Sequence, residues 1–199
     1  ERLWRHAASD EPMSGGAMPG TASVDPARRF CLVVMGVSGC GKTTMGEALA
    51  AALGLAFVDG DDLHPAANVA KMAAGTPLDD EDRWPWLDRV GATLADRSAT
   101  PAGIVIACSA LRRRYRDRIR AATGSALRFI YLDAEEATMV RRLEARPNHY
   151  MPPSLVHSQF AALEPPHPET EADVLVVPAI GAVGPKVAAI VETLTGQPA

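Results

Sequence analysis

The chain reads as an α/β protein, a parallel sheet with helices on both faces. Three observations predict this. Short apolar runs alternate with segments of helical spacing, and the runs are near-continuous rather than alternating, as strands buried on both faces require. Gly36-Val37-Ser38-Gly39-Cys40-Gly41-Lys42-Thr43 fits G-x-x-x-x-G-K-[ST] at every fixed position. That motif lies between an apolar run and a helical pattern, the strand–loop–helix setting in which it holds phosphate.

The elements follow in order. Cys31-Leu32-Val33-Val34-Met35 predicts a buried strand, and Met45, Leu49, Ala52 and Leu53 recur at helical spacing over about 42–53. Leu55-Ala56-Phe57-Val58 predicts a short strand that ends at Asp59. After a loop marked by Gly75 and Pro77, Asp79 or Asp80 can cap a helix over about 81–97, whose acidic first turn suits the helix dipole. Two tryptophans there, Trp84 and Trp86, suggest an inserted segment packed on the sheet. Ile104-Val105-Ile106-Ala107 is β-branched and apolar, and Ser109-Ala110-Leu111-Arg112 opens a helix over about 112–122. Leu127–Leu132 and Val174–Val177 complete five strand candidates, with helices expected over about 135–146, 153–163 and 183–195.

A chain of 199 residues is most simply one domain, expected here over 29–195. Residues 1–28 carry Ser14-Gly15-Gly16 and Pro12, Pro19 and Pro26 with few large apolar side chains. They read as a mobile extension, partly vector-derived or the product of a mis-assigned start, without the apolar core of a signal peptide. The net charge of −4, from 20 basic and 24 acidic residues, argues against a general nucleic-acid surface. Cys31, Cys40 and Cys108 are neither a disulfide framework nor spaced as zinc ligands, so reduced thiols in the cytoplasm are the economical reading. No apolar run approaches the roughly 20 residues that span a bilayer, so no membrane role is expected.

Ligands of such sheets bind at the carboxyl ends of strands. In the loop, Gly36, Ser38, Gly39, Cys40, Gly41, Lys42, Thr43 and Thr44 are the nucleotide-binding candidates. Backbone N–H groups turn toward an anion, Lys42 reaches the β- and γ-phosphates, and the Thr43 hydroxyl ligates Mg²⁺. Asp59-Gly60-Asp61-Asp62 crowds carboxylates at a strand end, which opposes folding unless cations or donors compensate. Asp59 is assigned to the metal side and Asp61 to an acceptor hydroxyl, with a solvated acidic loop as the bland alternative. His64, before Pro65, is either structural or a donor to substrate. Lys71 and Arg83 could converge on a small anion, for which arginine's planar fork is the better clamp. Of the basic run, Ser109 and Arg112 are placed at the strand end, whereas Arg113, Arg114 and Arg116 read as a solvated helix face. Arg142 and Arg146, four apart, share a helix face before a proline-rich loop. They are either surface residues or catalytic cations on a lid that closes over transferring phosphate and excludes water. Cys40 raises the prospect of an oxidation-sensitive loop.

With these residues in view, the sequence resembles the small phosphate-loop gluconokinases over roughly residues 30–195. The resemblance rests on Met35–Thr43, on Asp59–Pro65 with Asn68, Lys71 and Met72, and on Gly75–Leu87. It extends to Cys108–Arg113, Phe129–Leu132, the Arg146–Tyr150 segment and Glu171–Val174. The phosphate loop alone is shared by many functions, whereas the acidic turn together with Trp84-Pro85-Trp86 is far more specific. Cys40 stands where serine is common, Arg112 where lysine is expected, and Tyr150 for a frequent phenylalanine. The resemblance implies an adenylate- and shikimate-kinase-like fold with a five-stranded parallel core, an acceptor-binding insert over about 60–98 and a lid over about 142–160. It implies ATP, Mg²⁺, transfer to the 6-hydroxyl of D-gluconate, and a cytosolic homodimer. Rival readings are another small-metabolite kinase of the same fold, such as a shikimate-type enzyme, and a nucleotide switch that transfers nothing.

Overall fold

The computed structural model describes residues 29–96, 99–123, 127–144 and 153–196. Within these residues five strands form one parallel sheet: β1 (Phe30–Met35), β2 (Ala56–Asp59), β3 (Gly103–Ala107), β4 (Leu127–Asp133) and β5 (Val174–Pro178). Their order is β2-β3-β1-β4-β5. Central β1 is flanked by β3, with Cys31 opposite Ile104, and by β4, with Cys31 opposite Leu127. All six residues of β1 are buried, which is why its sequence is apolar without alternation.

Among the described residues there are seven helices: α1 (Lys42–Leu53), α2 (Ala66–Ala73), α3 (Asp80–Ala95), α4 (Arg113–Thr123), α5 (Glu136–Glu144), α6 (Pro153–Ala162) and α7 (Val183–Thr195). Successive strand residues point to opposite faces, so β1 feeds two cores. Leu32 and Val34 pack with Met45 and Leu49 of α1, Met139 of α5, Val156 of α6 and Ile190 of α7. Cys31, Val33 and Met35 pack on the other face with Trp86, Leu87 and Val90 of α3 and Tyr115 and Ile119 of α4. Trp86 is thus the apolar anchor of the tryptophan segment on the sheet.

The expected elements appear with ends shifted by a residue or two, and Asp59 belongs to β2 itself. Helix α2 was not among the expected helices. Of its eight residues, AANVAKMA, only Asn68 is buried, so no apolar stripe announces it. Helix α3 starts in a full capping box: Asp79 accepts from the Asp82 N–H at 2.9 Å, and Asp82 accepts from the Asp79 N–H at 2.9 Å.

The strand order places three chain segments together at the carboxyl edge. The loop after β1 lies between the ends of β3 and β4, and the turn after β2 lies beside the end of β3. Two glycines permit the close approach. Gly36, at φ 142°, leaves no room for a side chain, since a Cβ would meet Cys40 Sγ at 2.9 Å and the Leu132 carbonyl at 3.0 Å. A Cβ at Gly60 would come within 2.4 Å of the Ala107 carbonyl oxygen.

Candidate active site

The phosphate loop joins β1 to α1. Its amides are arranged by short-range bonds, Cys40 N–H to the Val37 carbonyl at 3.4 Å and Met45 N–H to the Gly41 carbonyl at 2.9 Å. The Gly36 N–H donates to the Ser109 carbonyl at 3.4 Å, which ties the loop to the segment after β3. The Ser38 N–H donates to Gln159 Oε1 on α6 at 2.6 Å. Lys42 Nζ lies over the loop, donating to the Val37 carbonyl at 3.0 Å, and Thr43 and Thr44 are exposed on the first turn of α1. The Cys40 side chain faces inward and is 1% exposed, and burial pushes its thiol up despite the opposing charge of Lys42. A buried, protonated thiol is a poor target, so the loop lacks the electropositive exposure that makes a cysteine oxidation-prone.

The acidic turn docks against this loop. Thr43 Oγ1 donates to Asp59 Oδ2 at 3.0 Å, while Asp59 Oδ1 accepts from the Asp61 N–H at 3.1 Å and so caps a 3-10 turn, Gly60–Leu63. One carboxylate therefore spans loop and turn. Asp61 is exposed, yet it stands among other carboxylates. Desolvation raises its carboxyl, the charges of Asp59 and Asp62 raise it further, and Lys42 opposes them. Asp61 is thus a stronger base than an ordinary aspartate and stands within the field of Lys42.

His64 stacks on Trp86 with centroids 4.3 Å apart at 14°, and Trp86 Nε1 donates to the Gly60 carbonyl at 2.7 Å. Burial, and then the charge of Arg83, lower the His64 pKa to about 4, so the ring is neutral at pH 7. Asn68 Nδ2 donates to the Asp82 carbonyl at 2.7 Å and faces His64 Nδ1 at 3.4 Å. That orientation makes Nδ1 the acceptor and leaves the proton on Nε2, a donor for which no partner appears among the described residues.

Beyond His64, three arginines surround one ring. Arg83, Arg112 and Arg114 lie 5.7, 5.9 and 5.6 Å from the Tyr115 centroid. Asp80 anchors the group: it accepts from the Tyr115 hydroxyl, pairs with Arg114 and lies 3.6 Å from Arg112. The Tyr115 hydrogen bond, with the charges of Arg114 and Arg112, holds the Asp80 carboxyl below the usual range. Three cations face one carboxylate, so the cluster carries an excess positive charge. No ion pair joins Arg83 to a carboxylate among the described residues. In this it differs from Arg112 and Arg114, which both lie within ion-pair distance of Asp80.

The ammonium of Lys71 pairs with Asp82 and, at 3.4 Å, with Asp79, so it closes α2 onto the start of α3 rather than standing free for substrate. Arg142 is exposed on α5, and its charge is felt at the Cys40 thiol behind the phosphate loop. Arg146 lies outside the described residues.

Arg116 corrects the expectation of a solvated face. It is 1% exposed and forks onto Glu171, Nε to Oε2 at 2.8 Å and Nη2 to Oε1 at 2.6 Å. Its Nη1 also donates to the carbonyls of Ala110 and Leu111, each at 3.2 Å. Burial works against the Glu171 charge, but the bonds from Arg116 and Arg120 outweigh it and lower the pKa to about 2. Among the described residues Ala110, at φ 42°, is the non-glycine residue with positive φ, a conformation that costs about 1 kcal/mol for an L-residue.

Several of these groups escaped sequence reasoning. Tyr115 and Asp80 gave a signal that went unread, an aromatic inside an arginine run and an acid too many at a helix start. Gln159 gave none, being 121 positions from the amide it meets.

The architecture and the loop together define a phosphate-loop kinase of the adenylate- and shikimate-kinase-like fold. A shikimate kinase from Aquifex aeolicus aligns at a TM-score of 0.51 and 16% identity over 84% of this chain and 97% of that one, which speaks to the fold alone. The AAA domain family model matches residues 32–166, more than half of the chain. A gluconokinase from Gluconobacter oxydans is 47% identical over 135 residues, covering 68% of this chain and 75% of the relative. The crystal structure of a gluconokinase from Sinorhizobium meliloti superimposes at a TM-score of 0.75 with 40% identity, covering 85% and 96%. The chain belongs to the gluconokinase family, a set of ATP-using phosphotransferases.

Proposed function

We propose that the chain transfers the γ-phosphoryl group of ATP to the 6-hydroxyl of D-gluconate, giving 6-phospho-D-gluconate and ADP. The observation that carries this reading is a junction. One carboxylate, Asp59, binds the phosphate loop through Thr43 and holds the turn that presents Asp61, and that turn runs on to His64 and the arginine cluster. Donor cradle, base and anion clamp thus lie in sequence along one edge of the sheet.

The loop amides and the start of α1 hold the triphosphate, with Lys42 moving from the Val37 carbonyl to the phosphates. Mg²⁺ fits this chemistry. The Thr43 hydroxyl and Asp59 carboxylate are hard oxygen donors, and among the described residues no group of three or more His, Cys, Asp or Glu forms an all-protein cage. When bound there, it would neutralise charge on the β- and γ-oxygens. Asp61 orients the acceptor hydroxyl and takes its proton. Arg83, with Arg112, grips the carboxylate of the sugar acid, while His64 Nε2–H and Ser109 address its hydroxyls. Arg142, joined by Arg146, stabilises the transferring group. Most of the rate gain comes from positioning and charge. Lys71 acts at one remove, through Asp82.

In the same reading, residues 60–98 form the acceptor insert of one domain over 29–195, and 142–160 form the lid. Among the described residues no helix is long and apolar enough to cross a membrane. A cytoplasmic location and a homodimer rest on the family resemblance. The test is ADP release with Mg-ATP alone, with D-gluconate and with shikimate. Release stimulated by D-gluconate is the expected result, and release that ignores it or follows shikimate overturns the proposal.

A further inference from the structure

The geometry points to Arg116, locked by Glu171, as a positioning residue for the acceptor: it fixes the left-handed turn at Ala110 and thereby sets Ser109 and Arg112. This rests on the reading of that pocket as the gluconate site.

The buried pair asks for an explanation. Two charges taken out of water are not in themselves a gain, and apolar residues of similar volume commonly serve stability as well or better. What an apolar pair lacks is a further donor. Arg116 uses Nε and Nη2 on Glu171 and has Nη1 left, which reaches the carbonyls of both Ala110 and Leu111 at 3.2 Å. Those carbonyls belong to the turn that Ala110 makes at φ 42°. Without an outside tether, an alanine there favours right-handed or extended backbone, and the residues on either side swing with it.

The turn's neighbours are the acceptor groups. Ser109 precedes it, with its carbonyl on the Gly36 N–H of the phosphate loop. Arg112 follows it, beside Tyr115 and Asp80. The outer side is tied as well: the Glu164 N–H donates to the Leu111 carbonyl at 2.9 Å, and Glu164 Oε2 accepts from the Arg113 N–H at 2.7 Å. Glu171 is itself steadied by Arg120, whose Nη2 donates to Oε2 at 2.6 Å and which forks onto Asp173 just before β5. The fork on the turn is therefore rigidly mounted and buried, and it contacts no reacting group.

The test replaces the pair with apolar residues, Arg116→Met with Glu171→Leu, and follows thermal melting and steady-state kinetics. The expected result is a melting temperature near wild type, a KM for D-gluconate raised at least tenfold, and a KM for ATP within twofold. Adding Ala110→Gly should recover much of the gluconate KM, because glycine takes φ 42° without a Cβ penalty. A purely structural pair would give no such split and no such rescue. The inference is overturned by an unchanged gluconate KM, by equal rises for both substrates, or by a glycine that restores nothing. Should the double variant fail to fold, Arg116→Lys decides: it keeps a charge for Glu171 but loses the fork, so the same split supports the inference and its absence overturns it. A wild-type chain that hydrolyses ATP yet ignores D-gluconate removes the function reading and this inference together. An active wild type with an indifferent variant removes this inference alone.

Discussion

The two halves of the proposed site are built in opposite ways. The nucleotide half is one contiguous stretch, Gly36 to Thr44, and its chemistry resides mainly in the backbone. The acceptor half is assembled from side chains on the 3-10 turn, α2, α3, the segment after β3 and α4: Asp61, His64, Asn68, Arg83, Arg112 and Tyr115. In the first half the proposed binding falls mainly to amides, with Lys42 and Thr43 as the side chains that take part. The second depends on individual atoms held by tertiary contacts. Specificity for the acceptor therefore belongs to the half that local sequence describes least.

Four experiments sharpen or break that contrast. The largest effect should come from Asp61→Asn, which removes a proton acceptor and should lower kcat by about 10²–10⁴-fold with the affinity for Mg-ATP nearly unchanged. Single-turnover rates and nucleotide titrations read the two halves separately, and wild-type turnover would remove Asp61 from the chemistry. Next, Arg83→Ala should raise the KM for D-gluconate by roughly 10–100-fold, the worth of a charge-assisted hydrogen bond, and barely move that for ATP. Equal effects on both substrates would deny it a selective role.

Smaller again, Gly60→Ala forces a Cβ to within 2.4 Å of the Ala107 carbonyl oxygen. A loss of about 1–3 kcal/mol in urea unfolding is expected, the usual scale of overpacking, with displacement of Asp61 lowering activity as well. The mildest test is pH. His64 has a folded pKa near 4 against an ordinary 6.5, so as pH falls the unfolded chain takes up the proton first. Its contribution is complete above about pH 6.5 and drains away between 6.5 and 4. Melting temperatures across that window should fall less steeply in His64→Gln than in wild type, and parallel slopes would show that the ring is not held neutral.

The same contrast explains what could be read in advance. Strands such as Cys31–Met35 and Ile104–Ala107 were legible because they are buried on both faces and carry their signal locally. The phosphate loop was legible for a related reason, since its glycines and lysine must be adjacent to work. Helix α2 was not, because an eight-residue alanine-rich helix that buries only Asn68 leaves no periodic trace. Lys71 and Arg83 share one anion-binding expectation in sequence, with arginine the better clamp, and the pairing of Lys71 with Asp79 and Asp82 separates them further. Arg116 sat in a basic run that reads as solvent-facing, and its partner lies 55 positions away, in a turn with no element of its own. Burial of a charge is decided by such distant pairing, which local pattern does not encode.

Trp86 has one more use. Its indole is sunk in the core, its Nε1 holds the Gly60 carbonyl, and its face lies against His64. The protein therefore carries an optical reporter at the threshold of the proposed acceptor site, with no label to attach. With Trp4 and Trp84 both replaced by Phe, the emission of Trp86 should respond when a sugar acid settles against His64, and should do so before any phosphate has moved.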